Sequence, residues 1–273
     1  MFANPADRLP PAVYELALRL GADPKAGPHE VRLTQAGRMK TALEATSWMK
    51  FTATQTMSLR DCAFDWRARF GPFGAIAARD ALAAGEGRLD VTALGFISIA
   101  RTAPSVALLR GELMRYLAEI AWAPDAILHN TELRWRSEGP GALVVSAGVG
   151  EAACEVVLSL NGEGRIAGTF ARDRPRSTTP PEFPTPWRGR FSDYRRHDGR
   201  WLPFAGEVAW RSMVARSSTG RDACLSGRCR PRPSRTPASR SCRRSRSCWT
   251  SLSPRPRQSA PIKSADRRRA GRG

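Results

Sequence analysis

Apolar and polar positions alternate with a period of two along much of the chain, and one long stretch breaks that pattern. Between residues 48 and 59, Met49, Phe51, Ala53, Met57 and Leu59 interleave with Lys50, Thr52, Thr54, Thr56 and Ser58, as in a strand with one packed and one wet face. Arg60 and Asp61 turn the chain, and Cys62, Phe64, Trp66, Ala68 and Phe70 then alternate with Asp65, Arg67 and Arg69. Two successive segments of this kind predict an antiparallel sheet buried on one side. Further strands are read at residues 31–39, 75–84, 88–99, 131–136, 143–149, 154–160, 166–171, 187–194 and 201–210. Hairpin signals stand at Gly85-Glu86-Gly87, Asn161-Gly162 and Asp198-Gly199.

The exception is the stretch 105–128, where Val106, Leu109, Leu113, Tyr116, Leu117 and Ile120 recur at helical spacing. Pro104 and Ser105 open this helix and Pro124 closes it, giving a span of 105–123. Glu112, Arg115 and Glu119 fall on a neighbouring face, with Arg115 and Glu119 four residues apart, where opposite charges meet. The plain expectation for that face is a solvated charged edge. A shorter amphipathic helix is read at 11–20, from Val13, Leu16 and Leu20, with Gly21 as its stop. About ten strands interrupted once by a helix, without βαβ alternation, predict a mainly β (α+β) fold. The economical form is a curved antiparallel β-sheet half-barrel with the long helix in its concave face.

Charge divides the chain sharply. The formal charge of +19 over 273 residues suggests a nucleic-acid partner, but residues 211–273 hold 18 Lys and Arg against Asp222 and Asp266 alone. The preceding 210 residues then carry 26 basic and 23 acidic side chains, an ordinary surface. From Arg211 the alternation stops and Arg, Ser, Pro, Ala, Gly and Cys take over. The few remaining apolar side chains cannot offset the ~1–2 kcal/mol per residue that backbone ordering costs, so a disordered tail is expected. The domain plan is a helix and loop at 1–28, a β half-barrel at 29–210 and this tail at 211–273.

Three readings of the tail compete. It could bind nucleic acid non-specifically through phosphates. Cys224, Cys229, Cys242 and Cys248 could hold zinc, although Pro231, Pro233 and Pro237 break the segment between them and no aromatic core separates the pairs. GC-rich coding sequence read out of frame also yields such a mixture, and the abruptness of the change favours that reading. Elsewhere Cys62 and Cys154 stand among apolar neighbours as buried thiols. The N-terminal residues lack an apolar signal core, and no run approaches the ~18 apolar residues of a membrane span. A cytoplasmic protein is expected.

The succession RGELMRYLAEIAWAP, TPWRGRFSDY and DGRWLPFAGEVAW, preceded by WMKFTATQ, FDWRAR and ARDALAAGEGRL, resembles an uncharacterised bacterial family of unknown function over residues 9–210. The resemblance implies a half-barrel like that of periplasmic lipoprotein carriers, in which a curved sheet wraps a helix and shelters an apolar ligand. It implies no established activity. On this resemblance Arg115, Tyr116, Glu119, Trp122 and Pro124 occupy the helix motif, and Arg79 and Asp80 an earlier strand. Trp187, Gly189, Phe191, Asp193 and Tyr194 occupy a later one. Family members continue beyond the EVAW strand with further strand sequence, and this chain departs from them there, which would leave its sheet short of a strand or two.

The candidate chemistry is sparse. His29, His129 and His197 have no metal-site spacing, no Gly-x-Ser-x-Gly occurs, and no metal or cofactor is expected. Glu112 and Glu119, with Cα atoms ~10.5 Å apart on a helix, are the one carboxylate pair suited to acid and base work, for which a structural ion pair is the simpler account. The aromatic residues Phe64, Trp66, Tyr116, Trp122 and Trp135 could line a cavity between sheet and helix or merely fill it. The leading expectation is a binding module for an apolar or lipid-like small molecule, with Asp80, Arg115, Glu119 and Asp193 as polar fixtures and Arg79 and Tyr194 of the resembling motifs also at the ligand site. The alternatives are an enzyme using Glu112 or Glu119 in the same cavity, and a nucleic-acid binder acting through the basic tail.

Overall fold

The computed structural model describes residues 5–25, 29–40, 45–176, 183–210 and 223–232. Contacts divide the chain into Met1–Thr236 and Pro237–Gly273, and all of the described residues belong to the first unit. Its strands are β1 (Glu30–Met39), β2 (Met49–Ser58), β3 (Phe64–Phe70), β4 (Ile76–Ala83), β5 (Glu86–Ala93), β6 (Ile97–Arg101), β7 (Arg134–Ser137), β8 (Ala142–Ala147), β9 (Cys154–Leu160), β10 (Ile166–Pro175), β11 (Pro184–His197), β12 (Arg200–Trp210) and β13 (Ala223–Arg232). They form one open antiparallel sheet in the order β6-β5-β4-β3-β2-β1-β13-β12-β11-β10-β9-β8-β7. The helices are α1 (Pro5–Arg8), α2 (Pro11–Arg19), α3 (Val106–Ala118) and α4 (Pro124–His129).

Burial follows the alternation in the sequence. Along β2 and β3 the inward positions Phe51, Ala53, Gln55, Met57, Phe64, Trp66, Ala68 and Phe70 are buried, while the residues between them reach solvent or half-reach it. Strands β6 and β7 follow one another in sequence yet stand at opposite edges of the sheet, so the connecting segment has to cross it. That segment contains α3, which packs against β4 and β5 on one side and β8, β9 and β10 on the other. In a flat sheet β5 and β9 would lie ~43 Å apart at ~4.8 Å per strand, whereas 13 helical residues span only ~20 Å. The sheet therefore curls around the helix, which lies in its hollow.

Several boundaries differ from the sequence reading. The expected strand 88–99 is two strands, because Leu94 and Gly95 adopt positive φ and turn the chain between β5 and β6. The expected single helix 105–123 is α-helical only to Ala118. It tightens into a 3-10 turn over Glu119–Trp122 and breaks at Ala123, after which Pro124 starts α4 at its first position rather than ending a helix. Ser105 caps α3 as expected, its side chain accepting from Leu108 N at 3.1 Å. Helix α2 packs on α4, and the Leu20 carbonyl accepts from Trp201 N at 2.8 Å.

The largest correction concerns residues 223–232, part of the stretch expected to be without structure. They form β13, which pairs with β1 along one side and with β12 along the other. Without it the six strands β1–β6 and the six strands β7–β12 would each present an unpaired row of N–H and C=O groups at the seam, and that backbone demand prevails over poor side-chain composition. The sheet is thus not short of a strand at this place. The rest of the expected disordered tail lies outside the described residues. So do Cys242 and Cys248 of the four-cysteine pattern, and among the described residues no cluster of His, Cys, Asp and Glu could hold a metal.

Candidate functional site

Two walls face each other across the hollow, with the end of α3 between them. The first is built on β1–β4. In β2 the inward register that buries Phe51, Ala53 and Met57 also buries Gln55, which is 1% exposed. Its Nε2 donates to Glu119 Oε2 at 2.5 Å, and its Oε1 accepts from Gln35 Nε2 at 3.0 Å. Trp66 Nε1 in turn donates to Gln35 Oε1 at 2.7 Å. Glu119 Oε1 accepts from Arg115 Nε at 3.0 Å, and Arg115 Nη1 donates to Asp80 Oδ2. The guanidinium of Arg115 lies 4.9 Å from the ring centres of both Phe64 and Trp66. A relay of side chains thus runs from the sheet through the helix and back to β4.

This arrangement overturns the expectation of a solvated charged edge: Asp80, Glu112 and Glu119 are 8%, 5% and 9% exposed. With strands of both halves packed against it, the helix from Gly111 onward has no open side on which to place them, although Val106 of the expected apolar stripe, at its start, is exposed. Burial alone would weaken the hold of Arg115 on its proton, but the neighbouring Glu119, Asp80 and Glu112 more than reverse that. Glu112 goes the other way. Burial, then the charge of Asp80, hold its carboxyl well above the usual carboxylate range, and Arg174 and Arg115 offset this only in part. Asp80 Oδ1 and Glu112 Oε2 are both buried and lack any other partner. A proton kept on Glu112 and donated to Asp80 satisfies both carboxyl groups.

The second wall comes from β10–β12. The register of β10 shifts between Ala171 and Arg174, so that Thr169 and Arg174 both line the hollow although strict alternation would turn Arg174 outward. Arg174 Nε donates to the Gly111 carbonyl at 3.1 Å. Its guanidinium stands 4.4 Å from the Trp187 ring centre and 5.3 Å from that of Trp210. Trp122, at the end of the helical segment, donates from Nε1 to the Pro203 carbonyl at 2.9 Å and meets Phe191 edge-on at 5.1 Å. A Cβ on Gly206 would stand 3.0 Å from Trp122 Cζ2, so the bare backbone makes room for that indole.

Between the walls lies a cavity of about 610 Å³, closed on the helix side by Arg115, Ala118, Glu119 and Trp122. Most of its lining is aromatic or aliphatic, with Phe51, Trp66 and Phe70 on one wall and Trp187, Phe191 and Trp210 on the other. The size falls within the ~300–1,000 Å³ of small-molecule sites.

Of the residues singled out from sequence, Trp66, Asp80, Arg115, Glu119 and Trp122 line this cavity, as do Trp187 and Phe191 of the later strand motif. The others stand elsewhere. Phe64 lies under Arg115 in the core. Tyr116 is fully buried and donates to the Ser58 carbonyl at 2.9 Å. Arg79 pairs with Asp65 at 2.8 Å among the residues that alternate away from the buried face of β3. Trp135 is on the edge strand β7, its Nε1 buried without a partner. Asp193, at positive φ, pairs with Arg195 at 2.7 Å. Tyr194 donates to the Ile166 carbonyl at 2.6 Å. Of the two acid and base candidates, Glu119 has both oxygens engaged, and Glu112 is behind the cavity lining. Gln35, Gln55, Thr169, Arg174 and Trp210 were not among the residues singled out from sequence. Gln55 was legible as a polar residue in the inward register of an alternating strand.

A model of the family of unknown function DUF6544 matches residues 2–216. The chain belongs to that family. The DUF6544 match spans both cavity walls and the helix, and ends within a few residues of the point where the alternation ceases. No curated protein is similar to this DUF6544 chain in sequence. Among solved structures, a LolA superfamily protein from Nitrosomonas europaea is similar to it at 11% identity and a TM-score of 0.42, over 80% of this chain and 90% of that one. Among the described residues of the DUF6544 chain, no helix is long and apolar enough to cross a membrane.

Proposed function

We propose that this protein binds an apolar small molecule in the cavity between helix and sheet. The observation that carries the reading is the contrast in the lining: two aromatic walls from opposite halves of the sheet enclose about 610 Å³, and the polar groups on the helix side, Arg115 and Glu119, are fixed by hydrogen bonds. Such a site offers apolar area for affinity and a small number of oriented groups for specificity. The acid and base alternative has less support, because Glu119 is engaged at both oxygens and Glu112 is not among the residues that line the cavity. We place this binding in the cytoplasm, where the unpaired, buried thiols of Cys62 and Cys154 would be at home.

The test is direct binding of an environment-sensitive apolar dye by the full chain, followed by Ala78→Trp. Ala78 lines the cavity from β4, and an indole there would fill much of it. The reading expects dye fluorescence that saturates with protein and is lost in the variant while the thermal unfolding midpoint holds. Equal binding by the variant would sink the proposal.

A further inference from the structure

We infer that Arg174 receives the anionic head group, carboxylate or phosphate, of a single-tailed amphiphile whose tail lies along the aromatic walls. This rests on the apolar-binding reading above and adds the class of ligand.

Arginine carries five N–H donors in a planar fork. In Arg174 the Nε–H is used by the Gly111 carbonyl. Among the described residues none accepts from Nη1 or Nη2, and these nitrogens belong to a side chain that lines the cavity. The acids that could have neutralised it are occupied elsewhere. Asp80 and Glu119 are bonded to Arg115, Glu207 pairs with Arg190, and burial followed by the charge of Asp80 holds the Glu112 carboxyl well above the usual carboxylate range. Arg174 is thus a sequestered cation with open donors, costly to bury without a partner.

Its position is also fixed. The bond to Gly111 ties one edge of the fork to α3, while Trp187 and Trp210 hold its faces at 4.4 and 5.3 Å. What remains free is the outer edge, with its parallel N–H bonds. That edge matches two oxygens of a carboxylate or phosphate, the geometry in which arginine binds most strongly. A neutral alcohol could use one of these bonds and gain less. The apolar lining continues from Trp187 past Phe191 and across to Phe51 and Phe70, a surface for a hydrocarbon tail, with Lys40 and Glu207 as further charged residues of the lining.

The experiment compares oleate, an oleyl monophosphate and oleyl alcohol as competitors for the bound dye, using the full chain at concentrations below micelle formation. The expected result is that the anions displace dye about ten- to hundredfold more effectively than the alcohol, the ratio that a charge-assisted bond supplies over a neutral one. Arg174→Gln should bring the anions to within about twofold of the alcohol, whose own affinity falls far less than theirs because it loses at most one neutral bond. Whichever anion competes better identifies the head group, and acetate or inorganic phosphate, lacking the tail, should not compete. Equal competition by alcohol and anions in the unaltered chain overturns the inference whether or not the variant folds, and so does an anion preference that survives in Arg174→Gln. Failure of all three tailed molecules to compete would instead sink the underlying apolar-binding reading, so the two failures are distinguishable.

Discussion

Two arginines enter the hollow from opposite sides, each resting against a pair of aromatic rings, and their surroundings differ in nearly every other respect. Arg115, from the helix, is bonded to Asp80 and Glu119, and its proton is held more firmly than usual because those carboxylates outweigh burial. Arg174, from β10, has a single backbone acceptor, and burial loosens its proton. The first is part of the architecture: it joins α3 to the β1–β4 wall through a chain that ends at Trp66. The second is held in place without being satisfied. A buried ion pair is expensive to build and more expensive to break, whereas a lone arginine on a cavity wall costs stability that only a ligand can return.

The comparison breaks first at Arg115. Arg115→Met should destabilise the fold by ~3–5 kcal/mol, because it leaves Asp80 and Glu119 buried with no cation between them. Chemical denaturation measures this directly. Adding Asp80→Asn and Glu119→Gln to the same chain should recover a large part of the loss, since the stranded charges are then gone. A loss under ~1 kcal/mol for the single variant would mean that water reaches the cluster, as for surface pairs, and the contrast between the two arginines would collapse.

Glu112 sharpens the comparison, since it feels both cations. Its folded pKa is raised, so the folded protein keeps a proton that the unfolded chain releases. Stability from this group is therefore fully present in acid. It falls as pH climbs above the ordinary glutamate range, and goes on falling until Glu112 ionises within the fold, by up to ~1.4 kcal/mol per pH unit. Glu112→Gln carries no such proton. The stability of the variant relative to the unaltered chain should thus rise with pH across that window, as read from denaturation curves at pH 5, 6 and 7. Asp65 and Asp90, whose arginine neighbours lower their pKa values, give slopes of opposite sign at more acid pH and cancel in the difference. Parallel profiles for the two chains would show that Glu112 is ionised at the outset and that the orphaned oxygen of Asp80 needs another account.

Much of the scaffold was legible in the sequence, and the reasons are local. Strict alternation in β2 and β3 revealed which side chains turn inward, and the 3.6-residue spacing after Ser105 revealed the helix and its apolar stripe. The seam was not legible, because β13 owes its place to the backbone needs of β1 and β12 and not to its own side chains. Nor was Arg174: one shift of register in β10 reverses the parity that alternation relies on. Phe64, Tyr116 and Trp135 were chosen as aromatic, which says nothing about the direction each one faces. The charged face of α3 was misread for a tertiary reason, since a helix enclosed by both halves of a sheet has no solvated side to offer. Gln55 could have been found, as the one polar residue in an otherwise apolar inward row.

The smallest expected effect belongs to Arg174 and completes the contrast with Arg115. Arg174→Met removes a half-buried cation, one hydrogen bond to the Gly111 carbonyl and the stacking on Trp187 and Trp210. It puts in their place an unbranched apolar side chain that can follow the same path between the indoles. The lost bond is worth ~0.5–1.5 kcal/mol or somewhat more for a charged donor, and relief from burying the charge works against it. The two should leave a net change within ~1 kcal/mol in denaturation of the ligand-free chain, several-fold less than for Arg115→Met. A loss as large as that of Arg115 would mean that Arg174 is as deeply built into the fold as its counterpart, and would leave it no free edge to offer a ligand.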